Sequence, residues 1–392
     1  MFVAIRDLRF AKGRFALMGA VVALITLLVV LLSGLTVGLG RGNTSAVTDL
    51  SADHLVFAAP MEGQKLAFTD SSISPAVRSA WSHVPGVRSA EPVVVAMTRA
   101  ATAGRTAGVA VFAVPPGSPL VPGGEGGREA GAAGGADAAG AAGSVAPGVV
   151  VLSTGAAAAL DVTAGDRIDL AGRAVTVGGV FGADEFSHAP VVWAATANAP
   201  ASGIEPGHAT FLALTTGDTE QRAVGAADGG SGLEAELAAA DQRLGTVTLT
   251  PAQSVSAIGS FSSENGSLQL MRALLFAISA LVIGAFFTVW TVQRSGEIAI
   301  LKALGASTRY LLGDALGQAL ALLVVGTAVG AALAAAVGAV ITTAGSAVPF
   351  VLDLPTLLVP VVVMTVLGLA GAAFSLRTVT TVDPLTALGS AR

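Results

Sequence analysis

The chain has no cysteine among its 392 residues. Disulfides, thiolate metal sites, cysteine nucleophiles and cysteine-linked lipid anchors are therefore excluded. Charge is also scarce. Only 12% of residues are charged and the mean hydropathy is +0.74, values too apolar for an ordinary soluble enzyme. The net charge of -5 and the lack of a basic patch with interleaved aromatics argue against a nucleic-acid partner. No G-x-x-x-x-G-K-[ST] occurs, so this chain cannot cradle ATP phosphates as a P-loop does. H-E-x-x-H is missing too, as is any recognisable Ser/His/Asp motif. The histidines His54, His83, His188 and His208 stand at spacings that define no metal site, and each reads as a surface or strand-packing residue.

What the chain does have is long apolar runs. Arg6, Arg9, Lys12 and Arg14 precede the first. Residues 1–14 read as an amphipathic helix on the inner membrane surface, because Ile5 and Leu8 share a face away from the cations. The run in residues 15–41 is too long for a signal peptide and long enough for a tilted span. Further spans are expected at 266–293, 311–343 and 356–377. An outer loop at 344–355 and a cytoplasmic tail at 378–392 complete the pattern. Cation placement puts both termini in the cytoplasm. Gly34-x-x-x-Gly38, Gly326-x-x-x-Gly330 and Gly368-x-x-x-Ala372 have the spacing that lets helices approach closely in lipid.

Residues 42–265 differ in kind. Acidic residues outnumber basic ones, and short β-rich runs alternate with turns. Strands are expected at 54–58, 92–97, 108–114, 149–152, 167–170, 174–180, 189–194 and 209–214. Ser153 is a candidate N-cap, and Thr250-Pro251-Ala252-Gln253 carries a capping-box signature. The helix entering there is expected to loosen at 262–267 before the second span. Residues 115–148 are almost all Gly, Ala, Pro and Ser, a composition expected to form a flexible insertion. The fold class is thus a polytopic α-helical membrane protein with four transmembrane helices and one large extracytoplasmic α+β domain.

Between the second and third spans lies a polar segment, residues 294–310. Read as a helix, it has Ile298, Ile300, Leu301 and Leu304 on an apolar strip, with Glu297 and Lys302 polar. Gly305 suits a left-handed C-cap, and Ser307 can cap the next helix. Its string QRSGEIAILKALGAS resembles the cytoplasmic coupling segment of FtsX/MacB-type ABC-transporter permeases. Residues 151–168 are similar to the MacB-like periplasmic core of that family. The stretches 186–193 and 260–271 resemble its haem-efflux HrtB/DevC-like branch. The resemblance implies a homodimeric permease that docks a pair of separate ABC ATPase subunits, which would carry ATP and Mg. Coupling would then fall to Glu297, Ile298, Leu301, Lys302, Leu304 and Gly305. The chain has no intrinsic cofactor on this reading, and its other partner is membrane lipid.

The same resemblance implies haem, or a similar amphiphile, as transported substrate. Haem is a flat apolar ring with two carboxylates, so its site needs apolar walls and cations for the propionates. Arg41 and Arg272 stand at the outer ends of the first and second spans. Met61, Glu62, Glu264 and Met271 are candidate iron ligands. Alternative readings are an FtsX-like transmitter that controls an extracytoplasmic hydrolase, and extraction of lipid or lipoprotein. An accessibility tag inserted within residues 123–143 is expected to report the outer face of the membrane; labelling from the cytoplasm contradicts the four-span topology.

Overall fold

The computed structural model describes residues 12–123, 144–217, 229–293, 296, 300, 305–343 and 349–380. The expected helix at 1–14 falls almost wholly outside them, and the tail at 378–392 nearly so. The chain divides into two units, Met1–Leu39 with Asn265–Arg392, and Gly40–Glu264.

Among the described residues, four helices are long and apolar enough to cross a membrane: Ala16–Thr48, Gly259–Trp290, Arg309–Thr343 and Leu354–Phe374. They belong to α1 (Lys12–Thr48), α6 (Gly259–Gln293), α7 (Thr308–Thr343) and α8 (Leu354–Thr380). Helix α6 runs unbroken through Ser262–Ser267, where the sequence suggested a loosening. The weak helix formers there are outvoted by the regular residues on both sides.

Glycine sets the spacing in the membrane unit. A Cβ on Gly326 of α7 would stand 2.8 Å from Val22 of α1, and one on Gly330 would meet the Ala23 carbonyl. A Cβ on Gly368 of α8 would lie 2.5 Å from Leu323 of α7. Gly371 of α8 and Gly284 of α6 nearly touch backbone to backbone, the Gly371 Cβ position being 3.4 Å from the Gly284 Cα. Gly34 and Gly38 face a different neighbour from the one their spacing suggested. They receive the loop residues Pro349 and Phe350, and Val351 donates its N–H to the Gly34 carbonyl at 3.2 Å. Buried Thr26 satisfies its hydroxyl within its own helix, Oγ1 donating to the Val22 carbonyl at 2.8 Å, whereas the buried Ser33 Oγ of the same helix has no partner among the described residues. The apolar interior holds Met18, Val29, Ile283, Phe287, Leu323 and Met364.

Among the described residues the outer unit has ten strands: β1 (His54–Ala58), β2 (Val87–Ala101), β3 (Thr106–Val114), β4 (Val149–Leu152), β5 (Arg167–Leu170), β6 (Arg173–Val180), β7 (Glu185–Phe186), β8 (Ala189–Ala195), β9 (Phe211–Thr216) and β10 (Thr246–Leu249). The 15-residue strand β2 serves two sheets. Its first half pairs with β9 in the order β10-β1-β9-β2. Its second half pairs with β3, and Ala100 and Ala101 also pair with Leu170 and Asp169 of β5. That last pairing closes the ring β2-β3-β8-β4-β6-β5 into a six-stranded barrel.

Alternate residues fill this barrel: Val109, Val111, Val150, Leu152, Ile168, Leu170, Val175, Val177 and Val192. Helix α3 (Thr154–Leu160) caps the filling with Ala156, Ala157 and Leu160, and Ser153 is its N-cap. The opposite faces of β3 and β8 carry Phe112, Val114, Val191 and Trp193 into a second core. That core also takes Ala46, Val47 and Leu50 from α1, and Ala257 and Ile258. A third core lies under α2 (Pro75–Trp81) and α4 (Gly229–Leu244), around Trp81 and Leu237.

The ends of the Gly/Ala-rich insertion differ from the flexible reading. Leu120, Val121 and Val145 are buried in the second core. Their large apolar side chains supply the burial that the surrounding Gly and Ala cannot; residues 124–143 lie outside the described residues.

The close approach of α7 to α1 yields a test. Gly330→Leu should destabilise the membrane unit by about 1–3 kcal/mol, read as a lower melting temperature in detergent. Gly313→Ala, with open space around it, should leave the melting temperature unchanged.

Candidate functional site

One candidate ligand residue sits in a built polar cluster inside the outer unit. The cluster gathers Asn43 from α1, Glu185, Ser187 and His188 from the β7–β8 hairpin, and Ser260 and Glu264 from α6. Its centre is Glu264 Oε2. It stands 2.8 Å from His188 Nε2 and 3.3 Å from Asn43 Nδ2. Asn43 Nδ2 and His188 Nε2 are 3.1 Å apart, the spacing of two donors converging on one acceptor. Ser260 Oγ donates to Asn43 Oδ1 at 2.7 Å and lies 2.8 Å from Ser187 Oγ. This fixes which end of the Asn43 amide faces Glu264. Asn43 is almost fully buried.

The hairpin turn itself is held in place. Ser187 and His188 both take left-handed backbone angles, φ 53 and φ 62, as a two-residue hairpin turn of the primed type requires. Neither is glycine or asparagine, so the conformation needs outside support. It has that support: the Ser187 and His188 N–H groups donate at 3.0 Å to the Asn43 and Gly42 carbonyls. Ser45 Oγ accepts from the Glu185 N–H at 2.8 Å. Gly42 is small for a local reason, since a Cβ there would come within 2.7 Å of Glu185 Oε2. Burial pushes the Glu185 carboxyl above its ordinary value, and the neighbouring His188 opposes the rise.

The other candidates are placed as follows. Arg41 is exposed on α1. Met61 and Glu62 occupy an exposed turn after β1. Met61 lines a cavity of about 430 Å³ with Gln64, Lys65 and Asp70, a lining that includes none of Asn43, His188 and Glu264. Met271 is exposed on α6, and the Arg272 guanidinium lies 5.8 Å from the Phe276 ring centre one turn along the same helix. Of the coupling residues, Glu297, Ile298, Leu301, Lys302 and Leu304 lie outside the described residues. Gly305 has φ 93, the left-handed angle of a helix C-cap, and Ser307 Oγ caps α7 by accepting from the Tyr310 N–H at 3.3 Å.

His188 and Asn43 are the residues that sequence reasoning missed. His188 was read as a surface or packing residue, whereas the structure sets it against Glu264. The signal available was weak: Ser-His at the tip of a short hairpin, with its partners far off in the chain.

The four apolar helices and the extracytoplasmic α+β unit with its closed barrel define a polytopic membrane protein of the permease type. A family model described as MacB-like periplasmic core domain matches residues 15–229, and one described as FtsX-like permease C-terminal matches residues 270–384. The chain belongs to this FtsX/MacB-type permease family. Among individual proteins, it is 30% identical over 145 residues to the hemin transport system permease protein HrtB of Staphylococcus epidermidis, covering 37% of this chain and 41% of that protein. It is 36% identical over 132 residues to the HrtB of Staphylococcus haemolyticus, covering 34% of this chain and 37% of the relative. The matched segments thus span well under half of these relatives' lengths.

Two solved structures are similar at low identity. The periplasmic region of MacB from Actinobacillus actinomycetemcomitans covers 55% of this chain and 92% of its own, with a TM-score of 0.34 at 9% identity. The extracellular domain of the noncanonic ABC-type transporter YknZ from Gram-positive bacteria covers 51% of this chain and 99% of its own, with a TM-score of 0.31 at 12% identity.

The raised carboxyl of Glu185 predicts a pH dependence. A folded-state value above the unfolded one favours the protonated form, so the group's contribution is present at low pH and lost as pH rises through the folded value. Glu185→Gln should therefore raise the melting temperature near pH ~7, and the gain should vanish by about pH 4. Thermal melts of parent and variant across that range test this.

Proposed function

We propose that this chain is the permease subunit of an ABC-type efflux system. It works as a homodimer in the cell membrane with both termini cytoplasmic, and it is driven by separate ATPase subunits. Its cargo is haem or a similar amphiphile, removed from the membrane to the outside. The observation that carries this reading is the pair of family matches, at residues 15–229 and 270–384, together with relatives named for hemin transport. The sequence supports the division of labour, since it carries no P-loop.

On this reading residues 294–310 form the coupling segment. Ile298, Leu301 and Leu304 anchor it in a groove of the ATPase, flanked by Glu297, Lys302 and Gly305. Glu264 offers a carboxylate to the haem iron, while Met61, Glu62 and Met271 are further ligand candidates. Arg41 and Arg272 serve the propionates. A second reading draws on the FtsX-like match itself: a transmitter that passes ATPase strokes to an extracytoplasmic hydrolase and moves no cargo.

Two measurements test the proposal. Leu301→Asp should release the ATPase subunit on co-purification, or leave its hydrolysis indifferent to haem; retention with normal haem stimulation contradicts the coupling assignment. Arg41→Ala combined with Arg272→Ala should weaken haem binding to the reconstituted protein by ~10-fold or more. Parent-like binding in that double variant contradicts the propionate role.

A further inference from the structure

The two oxygens of Glu264 have different surroundings. Oε2 accepts from His188 Nε2 at 2.8 Å and from Asn43 Nδ2 at 3.3 Å. Oε1 accepts from no group among the described residues, and the side chain is 44% exposed. One oxygen is anchored by two donors and the other is presented outward. A carboxylate that ligates a metal centre is ordinarily held in this way, oriented by hydrogen bonds from a surrounding shell. The shell is itself rigid. Asn43 is buried and fixed by Ser260, and His188 sits on a turn whose backbone is tied to Gly42 and Asn43.

We propose that His188 is the positioning residue of the ligand site: it donates from Nε2 to Glu264 and keeps that carboxylate aimed at an incoming haem iron. This rests on the reading of Glu264 as an iron ligand given above. The groups facing His188 are Glu264 from α6, Glu185 from β7, and the uncharged Asn43 from α1; Arg41 lies two residues before Asn43 on that helix. Loss of the imidazole leaves Glu264 with the single Asn43 donor. The carboxylate is then less firmly oriented toward the iron.

The test uses the full chain reconstituted in lipid nanodiscs and titrated with haem, read by the Soret band. His188→Ala should lower haem affinity by about 10- to 100-fold and shift the Soret band. His188→Gln places an amide N–H near the position of Nε2 and should restore most of the affinity and the parent band. Asn43→Leu removes the second donor and should weaken binding in the same direction. Parent-like affinity and band in His188→Ala overturn the proposal, provided Glu264→Gln binds poorly. Equal loss in the Ala and Gln variants also overturns it. Parent-like binding in Glu264→Gln instead overturns the ligand reading on which it rests.

Discussion

One hydrogen-bond knot ties three distant pieces of the outer unit together, the convergence of His188 Nε2 and Asn43 Nδ2 on Glu264 Oε2. Through it the last turns of α1, the β7–β8 hairpin and the first turns of α6 are held to one another. These pieces are far apart in sequence: Asn43 and Glu264 by 221 residues, Asn43 and His188 by 145. Beside the knot, the Asn43 and Gly42 carbonyls support the left-handed pair Ser187–His188, a conformation that costs of order 1–3 kcal/mol per residue where nothing supports it. The missing side chain of Gly42 leaves room for Glu185. The network is half exposed at Glu264 and His188, and its buried member Asn43 is fixed by the Ser260 hydroxyl.

A different constraint governs the membrane unit. Lipid gives no hydrophobic reason for helices to associate, so they must gain from close contact. The chain supplies glycine where helices come close: Gly326 and Gly330 against α1, Gly368 against the Leu323 side chain, and Gly371 against the Gly284 backbone. Phe350 takes another route. Its ring fills the notch left by Gly34 of α1 and Gly338 of α7, so a loop occupies a surface that a helix otherwise covers.

Much of this was legible in the sequence where the cause was local. The capping box at Thr250 and Gln253 formed as its residues required, with both reciprocal bonds present. The Ser153 cap and the alternating strands of the barrel followed from nearest-neighbour chemistry. Contacts of long range were not legible. No pattern in residues 100–101 announces their pairing with 169–170, yet that pairing turns a sheet into a barrel. The Gly34 and Gly38 spacing revealed a small-residue face and not its occupant. His188 looked idle because its partner Glu264 lies 76 residues away. Helix α6 ran through Ser262–Ser267 because the residues on either side, and not the serines, set its path.

On the proposed reading, cargo moves through this chain and ATP is hydrolysed by a partner subunit. Transfer of haem is therefore the direct measurement. The permease and its ATPase are co-reconstituted in haem-loaded liposomes, with an external haem acceptor on the side of the outer unit. ATP should raise both hydrolysis and haem appearance on the acceptor, in saturable proportion to membrane haem. Hydrolysis that ignores haem, with no ATP-dependent transfer, would contradict the account and favour a transmitter that moves no cargo.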